Sequence, residues 1–277
     1  MGHIARRRAG KAGFYSTSSV LAILFLLPLI WSSVRSVYGP EATMGEGGFG
    51  TDNYERLVNY GEGLQRYTMN SVIVSVITVV GSLLVTIPAG YAFARFNFRG
   101  KNLLFMCALA ILMVPHSTIL IPLYTMLGWV NLQNTLFAVG LVIIMFQLPF
   151  SLFMIRNAFE GLPSELEEAA LIDGCSHFGA LRRILLRAIT PTIVTVGMFA
   201  FLASWNEFIT PLIFLTQGDK FTLPIALVSL RSGDLGAIDF GALQAGITFT
   251  AIPCILIFTL LQRYYVQGFT SGAVKGG

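Results

Sequence analysis

The sequence is short of charge. Only 12% of its 277 residues are Asp, Glu, Lys or Arg, whereas soluble domains carry about 25%. Hydrophobic residues make up 55% of the chain, and the mean hydropathy is +0.72. So few charges cannot cover the surface of a soluble domain. The composition predicts a membrane protein and argues against a soluble enzyme, a nucleic-acid-binding protein and a disordered scaffold.

Cysteine is also scarce. The three cysteines, Cys107, Cys175 and Cys254, lie far apart, and no C-x-x-C pair occurs. This pattern supports neither a disulfide framework nor a thiolate zinc site, so no metal site is predicted. We expect each cysteine to pack as a small apolar side chain.

Sequence motifs for nucleotide binding and for catalysis are missing. The chain has no G-x-x-x-x-G-K-[ST], no G-x-S-x-G and no H-E-x-x-H. A chain without the phosphate-binding loop is expected to bind no ATP of its own. If it takes part in ATP-driven transport, ATP hydrolysis must take place on a separate subunit.

Six apolar segments are long enough to cross a bilayer, which takes about 20 residues per helix. The first follows a basic N-terminus and lacks an A-x-A cleavage signal after it, so we interpret it as an uncleaved span. A polar, turn-prone stretch at 128–134 divides a long uncharged region into the third and fourth spans. The predicted spans are 14–34, 70–94, 103–127, 135–155, 191–215 and 243–262.

The basic residues predict the orientation of these spans. With the N-terminus inside, 13 of the 18 Lys and Arg residues fall on the cytoplasmic side and 5 on the outer side. This bias agrees with the positive-inside rule, and the reverse topology would invert it. Both termini are therefore predicted to be cytoplasmic.

The segment 156–190 is the long cytoplasmic loop of this topology. Ser164 and Glu167 have the S-x-x-E spacing of a capping box, which predicts a helix start. Gly174 is placed to end that helix, and Ser176 can cap a second helix that runs to Pro191. The small residues of the first helix would let it enter a groove on another protein, while the alternative is an ordinary amphipathic connector.

The loop resembles a known family motif. Glu168-Ala169-Ala170-x-x-Asp173-Gly174, followed by Ile189-Thr190-Pro191, is similar to the EAA loop of ABC importer permeases, with Thr190 in place of the usual Leu. Other segments resemble the carbohydrate-type, MalG-like branch of these binding-protein-dependent inner-membrane components. They are Asn70-Ser71, Tyr91-Ala92-Phe93-Ala94-Arg95, Trp205-Asn206-Glu207-Phe208 and the tail 268–276.

The resemblance implies an all-α polytopic membrane protein with six transmembrane helices, a single permease domain and the type I ABC importer permease architecture. It implies a complex with a second homologous permease, an ATPase dimer that holds ATP and Mg, and an extracytoplasmic sugar-binding protein. The chain itself would bind no cofactor and catalyse nothing. It would carry a di- or oligosaccharide across the cytoplasmic membrane of a prokaryote by alternating access. The residues expected to dock on the ATPase are Glu168, Ala169, Ala170, Asp173 and Gly174.

Glu207 is the one acidic residue placed within a predicted span. Carboxylates in lipid are costly and mark functional sites, so Glu207, with Trp205 and Asn206, is a candidate for the translocation pathway. The alternative is a role in helix packing. For His116, which follows Pro115 in the third span, we expect a buried, hydrogen-bonded side chain, and the alternative is a ligand or a proton relay.

Two other functions compete with that of an importer subunit. A self-sufficient secondary transporter or channel typically needs polar groups at mid-membrane, often within internal repeats. Only Glu207 qualifies in this sequence, and no repeat is evident. An intramembrane hydrolase would need Ser and His side chains brought together, and no motif does so.

Overall fold

The computed structural model describes residues 2–38, 48–230 and 239–273. Within these residues the regular elements are helices, and extended backbone pairs in one isolated bridge between Tyr38 and Phe49. The helices are α1 (Gly2–Ser36), α2 (Asp52–Val58), α3 (Leu64–Arg95), α4 (Lys101–Ala110), α5 (His116–Trp129), α6 (Leu136–Glu160), α7 (Glu165–Ile172), α8 (His177–Ala180), α9 (Leu186–Ala188), α10 (Thr190–Trp205), α11 (Ile209–Phe214), α12 (Leu223–Ser229) and α13 (Phe240–Ala273).

Four helical segments are long and apolar enough to cross a membrane: Gly13–Ser36, Leu64–Arg95, Leu136–Glu160 and Phe240–Tyr264. Two further pairs of helices pass the same test when each bent pair is counted as one span, which brings the number to six. The predicted all-α, six-helix membrane fold is therefore confirmed. That the spans form a single domain stays a prediction.

The third predicted span, 103–127, is wrong as a continuous helix. The segment Lys101–Met113, which ends in a short 3-10 turn, and the helix His116–Trp129 meet at 105°. Pro115 explains the break, because proline has no N–H and forces the preceding residue out of the helical region. Val114 is accordingly extended, with φ −82° and ψ 124°.

The fifth predicted span, 191–215, is also interrupted. α10 ends at Trp205, and α11 begins at Ile209 after a three-residue break. At this end the Asn206 side chain donates a hydrogen bond of 2.9 Å to the carbonyl of Leu202, in competition with the backbone ladder. Pro211 fits the new helix because a first turn needs no N–H donor there.

The polar stretch predicted to separate the third and fourth spans does so. α5 ends at Trp129, and Asn131 and Asn134 take the left-handed conformation with φ 56° and 53°, which asparagine tolerates. Thr135 then caps α6 by accepting a 3.1 Å hydrogen bond from the N–H of Ala138.

The chain forms two compact units. The first comprises Met1–Gly63 and Leu227–Ile252. Here α2 is held to the end of α1 by Asn53, whose buried amide donates to the carbonyls of Ser36 at 2.9 Å and Tyr38 at 2.7 Å. An ion pair of 2.9 Å between Arg56 and Asp239 adds a contact within the same unit.

The second unit comprises Leu64–Ala226 and Pro253–Gly277. Its centre is the packing of α3 on α6, with α10 against both. A Cβ on Gly140 would meet Ile77 at 2.5 Å, and one on Gly90 would meet Ile155 at 2.6 Å. The two helices therefore approach closely at glycines, as small residues permit in membrane interfaces. The buried residues of α3 around this crossing include five small polar ones: Ser71, Ser75, Thr78, Ser82 and Thr86.

Candidate functional site

The loop 156–190 contains α7, and the predicted end of this helix at Gly174 is confirmed. Gly174 has φ +84°, and its N–H donates to the carbonyl of Leu171, while the N–H of Cys175 donates to that of Ala170, both at 3.0 Å. These two bonds form a Schellman motif, which glycine in the left-handed conformation completes at little cost.

The predicted capping box at the start of α7 is wrong. Ser164 is helical, with φ −64° and ψ −29°, and its side chain makes no capping hydrogen bond. The N–H groups of Glu167 and Glu168 donate instead to the backbone carbonyl of Ser164, at 3.0 and 3.1 Å. The carboxylate of Glu167 points away from the helix start because it has other partners.

Glu167 is buried, with 7% of its surface exposed, and its carboxylate has three polar partners. The hydroxyl of Tyr91 donates a hydrogen bond to Oε1, and Nδ1 of His177 lies 3.0 Å from the same oxygen. Arg95 Nε forms an ion pair with Oε2 at 3.4 Å, and its Nη2 donates to the carbonyl of Leu162 at 3.0 Å. One carboxylate thus joins α7 to the last turn of α3 and to the start of α8.

The second predicted helix of the loop begins as expected but ends early. Ser176 caps it by accepting a 3.1 Å hydrogen bond from the N–H of Gly179. The helix continues through a π-helical segment, Leu181–Leu185, and stops at Ala188, where α10 departs at 78°. Leu181 and Leu185 of the π-helical segment are buried, whereas Phe178 in the turn before it is 69% exposed.

A hydrophobic cluster fixes the loop against the ends of the spans. Leu181, Leu185 and Ile189 from the loop pack with Tyr91 of α3 and with α6 and α10 residues; the remaining members are Ile155, Phe159 and Val196. Buried apolar contact of this kind contributes about 25 cal/mol per Å². The inner side of the loop is therefore packed firmly against the ends of the spans.

The outer side of α7 is exposed. Leu166, Ala169 and Ile172 follow one another at the helical spacing i, i+3 and i+6, and Ile172 is 86% exposed. Glu168 and Asp173 are exposed beside them, whereas Ala170 is buried. Four of the five predicted docking residues, Glu168, Ala169, Asp173 and Gly174, are thus accessible, and Ala170 is part of the inner packing.

Reasoning from the sequence missed the partners of Glu167. Tyr91 and Arg95 stand one turn apart at the end of an apolar helix, which places both side chains on one face. That spacing was the available signal. Nothing in the linear sequence indicated that an acidic residue 72 positions after Arg95 would lie against this face.

A cavity of about 460 Å³ opens beside the bend between α4 and α5. Its wall is mainly apolar and includes three polar side chains, Glu207, His116 and Gln147. The Glu207 carboxylate accepts a 2.8 Å hydrogen bond from the N–H of Thr210. The Thr210 hydroxyl in turn lies 3.5 Å from Nε2 of His116. The expectation that His116 is buried is wrong, because its side chain on the cavity wall is partly exposed.

The three predicted pathway residues have different surroundings. Glu207 lies on the cavity wall, at the break between α10 and α11. Trp205 is 1% exposed and stacks on Phe201 at 5.6 Å, inside the chain. Asn206 is exposed, with its amide on the carbonyl of Leu202. A role of these residues in transport stays a prediction.

Structures of known proteins share this fold. A bacterial ABC transporter involved in the import of the acidic polysaccharide alginate superposes with a TM-score of 0.78 and 21% identity, over 93% of this chain and 97% of that one. A bacterial alginate ABC transporter in complex with an alginate pentasaccharide-bound periplasmic protein superposes with a TM-score of 0.67 and 16% identity, over 92% of this chain and 94% of that one.

Sequence relatives lead to the same family. The chain is 31% identical to the trehalose/maltose transport system permease protein MalG of Thermococcus litoralis, over 93% of this chain and 94% of that protein. It is 34% identical to the arabinooligosaccharides transport system permease protein AraQ of Bacillus subtilis, over 81% and 79%. Residues 86–271 match the family model of binding-protein-dependent transport system inner membrane components. The chain belongs to this family of inner membrane components.

Proposed function

We propose that the chain is one membrane-spanning subunit of an ATP-driven importer that carries a di- or oligosaccharide or a related sugar. It works with a second homologous permease, an ATPase dimer that holds ATP and Mg, and an extracytoplasmic sugar-binding protein. The chain catalyses nothing itself and binds no cofactor. Both of its termini lie in the cytoplasm.

The observation that supports this proposal is the two-sided construction of α7. Its inner side is anchored by the buried carboxylate of Glu167 on Tyr91 and Arg95. Its outer side presents Leu166 and Ile172 to solvent beside acidic groups. An exposed apolar stripe on a firmly anchored short helix suits the surface of another protein, and anchoring would let a displacement of α7 reach the end of α3.

The docking face is tested by charge reversal. The tagged chain is purified from membranes of its own source cells, and the ATPase activity that copurifies with it is measured. We expect Glu168→Lys and Ile172→Glu to abolish this activity. Asp52→Lys, an exposed charge reversal on α2, is the matched control and should keep that ATPase activity. If all three variants keep it, α7 is not the docking helix.

The energy source and the substrate class are tested by uptake in cells. Deletion of the gene should abolish uptake of at least one labelled sugar from a panel of di- and oligosaccharides. Uptake by the intact transporter should stop on ATP depletion and continue when an ionophore collapses the ion gradients. The opposite pattern would identify a secondary transporter, and unchanged uptake of every sugar in the panel would exclude the proposed substrate class.

A further inference from the structure

A second cavity, of about 390 Å³, lies where two spans end. α3 ends at Arg95 and α6 ends at Glu160, and the cavity opens between these ends and the start of α4. Its wall includes Asn97, Asn102, Lys101 and Arg156. The ends of apolar spans lie at the surface of the bilayer, where lipid headgroups are found. Neither the docking face of α7 nor the cavity at Glu207 includes these residues.

The wall of this cavity is positively charged. Lys101 has no ion-pair partner among the residues that the structure describes. Arg156 pairs with Glu160 at 2.8 Å, and the sequence holds no other Asp or Glu between residues 63 and 160. Glu160 neutralises the charge of Arg156, so the positive charge of Lys101 has no nearby acidic residue in the described part of the chain to balance it. The neighbouring, exposed Arg99 adds a further positive charge.

Arg156 is held in place on two sides. Its guanidinium carbon lies 4.0 Å from the centre of the Phe105 ring, while its Nε makes the bond to Glu160. Both contacts restrict the rotamers of a side chain that otherwise loses considerable entropy on binding. A guanidinium fixed in this way is well suited to binding a phosphate group.

An apolar surface adjoins the cationic wall. Leu103 belongs to the cavity wall and is 67% exposed, and Leu104 and Met106 are also exposed on α4. On a membrane-spanning helix, exposed apolar side chains such as these provide a surface for acyl chains. Cationic groups at the membrane surface, continued by an apolar helix surface, match the two parts of a phospholipid. Free phosphate would use the cations only.

We propose that this cavity binds the headgroup of an anionic phospholipid. Lys101 and Arg156 contact the phosphate, the amides of Asn97 and Asn102 hydrogen-bond the polar headgroup, and the acyl chains run along α4 from Leu103. Basic pockets between transmembrane helices are known to take such headgroups. A bound lipid would hold the corner between α3 and α4 at the bilayer surface.

The test is a lipid titration of the purified full-length chain in neutral detergent, followed by native mass spectrometry. The probes are dihexanoyl phosphatidylglycerol, dihexanoyl phosphatidylcholine and inorganic phosphate. The wild-type chain should bind phosphatidylglycerol more tightly than either other probe. Because one Lys or Arg contributes about five-fold to the affinity for an anionic lipid, Lys101→Gln should weaken binding about five-fold, and the double variant with Arg156→Gln roughly 25-fold.

The matched control is Arg263→Gln, an exposed arginine outside this cavity, which should leave the affinity unchanged. Lys101→Gln removes no ion pair, so it tests the site even if Arg156→Gln prevents folding. Equal weakening by Arg263→Gln would show nonspecific attraction and overturn the proposal. Equal affinity for phosphatidylglycerol and phosphatidylcholine would overturn it too, and phosphate binding as tight as lipid binding would show an anion site without a lipid.

Discussion

The hydroxyl of Tyr91, in the last turns of α3, donates a hydrogen bond to the buried carboxylate of Glu167 in α7. This bond joins a membrane-spanning helix directly to α7, a helix of the loop 156–190. Arg95 and His177 contact the same carboxylate from two other elements. Polar contacts and apolar packing therefore both connect α7 to the end of α3.

Removal of this bond should lower the stability of the chain. We expect Tyr91→Phe to reduce the free energy of unfolding by about 1.5–3 kcal/mol, the range for a hydrogen bond to a charged group. Glu167→Ala should cost more, about 3–5 kcal/mol, because Arg95 loses the partner of a buried ion pair. Reversible unfolding in mixed micelles measures both values.

A double-mutant cycle separates the bond from general damage to the packing. In the Glu167→Ala background, Tyr91→Phe should have almost no further effect, because its acceptor has already been removed. Tyr15→Phe, at an exposed position of α1, should be neutral in both backgrounds. Additive losses from Tyr91→Phe and Glu167→Ala would show that the hydroxyl does not act through this carboxylate.

The Glu167 contacts show where local sequence patterns fail. Ser164 and Glu167 have the spacing of a capping box, and a reading restricted to neighbouring residues assigns them to each other. In the structure the Glu167 carboxylate contacts Tyr91, Arg95 and His177 instead. A buried carboxylate gains more from a cation and two further polar partners than from one backbone N–H. The helix itself, its end at Gly174 and the cap at Ser176 depend on local geometry and could be predicted.

The local sequence also does not predict which prolines within the spans interrupt their helices. Pro28, Pro88, Pro149 and Pro253 all lie inside continuous helices, whereas Pro115 stands at a bend of 105°. The number of spans follows from hydropathy, which local composition determines. Whether a proline interrupts its helix depends on whether neighbouring helices can satisfy the freed backbone groups, and the sequence does not show which neighbours are present.

Gly174 should be sensitive to substitution because of its backbone alone. No atom lies within 4 Å of a Cβ added there, so Gly174→Ala introduces no clash. A left-handed φ of +84° in alanine should nevertheless cost about 1–2 kcal/mol. Gly174→Asn should recover part of the loss, since asparagine tolerates this conformation. Unfolding of the three proteins in micelles measures the series.

The control for Gly174→Ala is Gly63→Ala, at a φ of +89° outside the loop. Both variants should lose similar stability. Only Gly174→Ala should reduce the ATPase activity that copurifies with the chain, because it changes the end of α7. A similar reduction by Gly63→Ala would attribute the effect to loss of stability and not to the docking helix.

Alanine substitutions at the glycines where α3 crosses α6 should lower stability by different amounts, depending on which atoms the new Cβ contacts. At Gly90 it meets the branched Ile155 and, at 3.0 Å, the backbone nitrogen of Arg156, which cannot move aside. At Gly140 it meets only Ile77. Overpacking typically costs about 1–3 kcal/mol, so Gly90→Ala should approach the upper limit and Gly140→Ala fall below it.

Gly197→Ala is the matched control at a looser contact, where the Cβ would lie 3.7 Å from Val79, an ordinary van der Waals distance. Its stability should stay within about 0.5 kcal/mol of the wild type, or rise slightly, because alanine is the better helix former. The measurement is the unfolding midpoint of each purified variant. A Gly197→Ala loss as large as that of Gly90→Ala would show that the loss at Gly90 does not come from the close approach of α3 and α6.

Glu207 allows its two candidate roles to be separated. Its carboxylate accepts a hydrogen bond from the N–H of Thr210 in the first turn of α11. Glu207 also lines the cavity, together with His116 and Gln147. Glu207→Gln keeps a carbonyl acceptor for Thr210 and removes the charge. Glu207→Ala removes both, and the loss of a cap should cost about 1 kcal/mol.

A role in packing therefore predicts that Glu207→Ala is destabilised while Glu207→Gln folds and transports normally. A role in the pathway predicts that Glu207→Gln assembles normally but takes up sugar more slowly, because a neutral amide replaces an ionised hydrogen-bond acceptor in a mainly apolar cavity. Uptake and unfolding are measured on both variants and on Gln147→Ala, which leaves α11 intact. Slow uptake in Glu207→Gln and Gln147→Ala at wild-type stability would place the cavity on the route of the substrate. Normal uptake in both variants would show that Glu207 only caps α11.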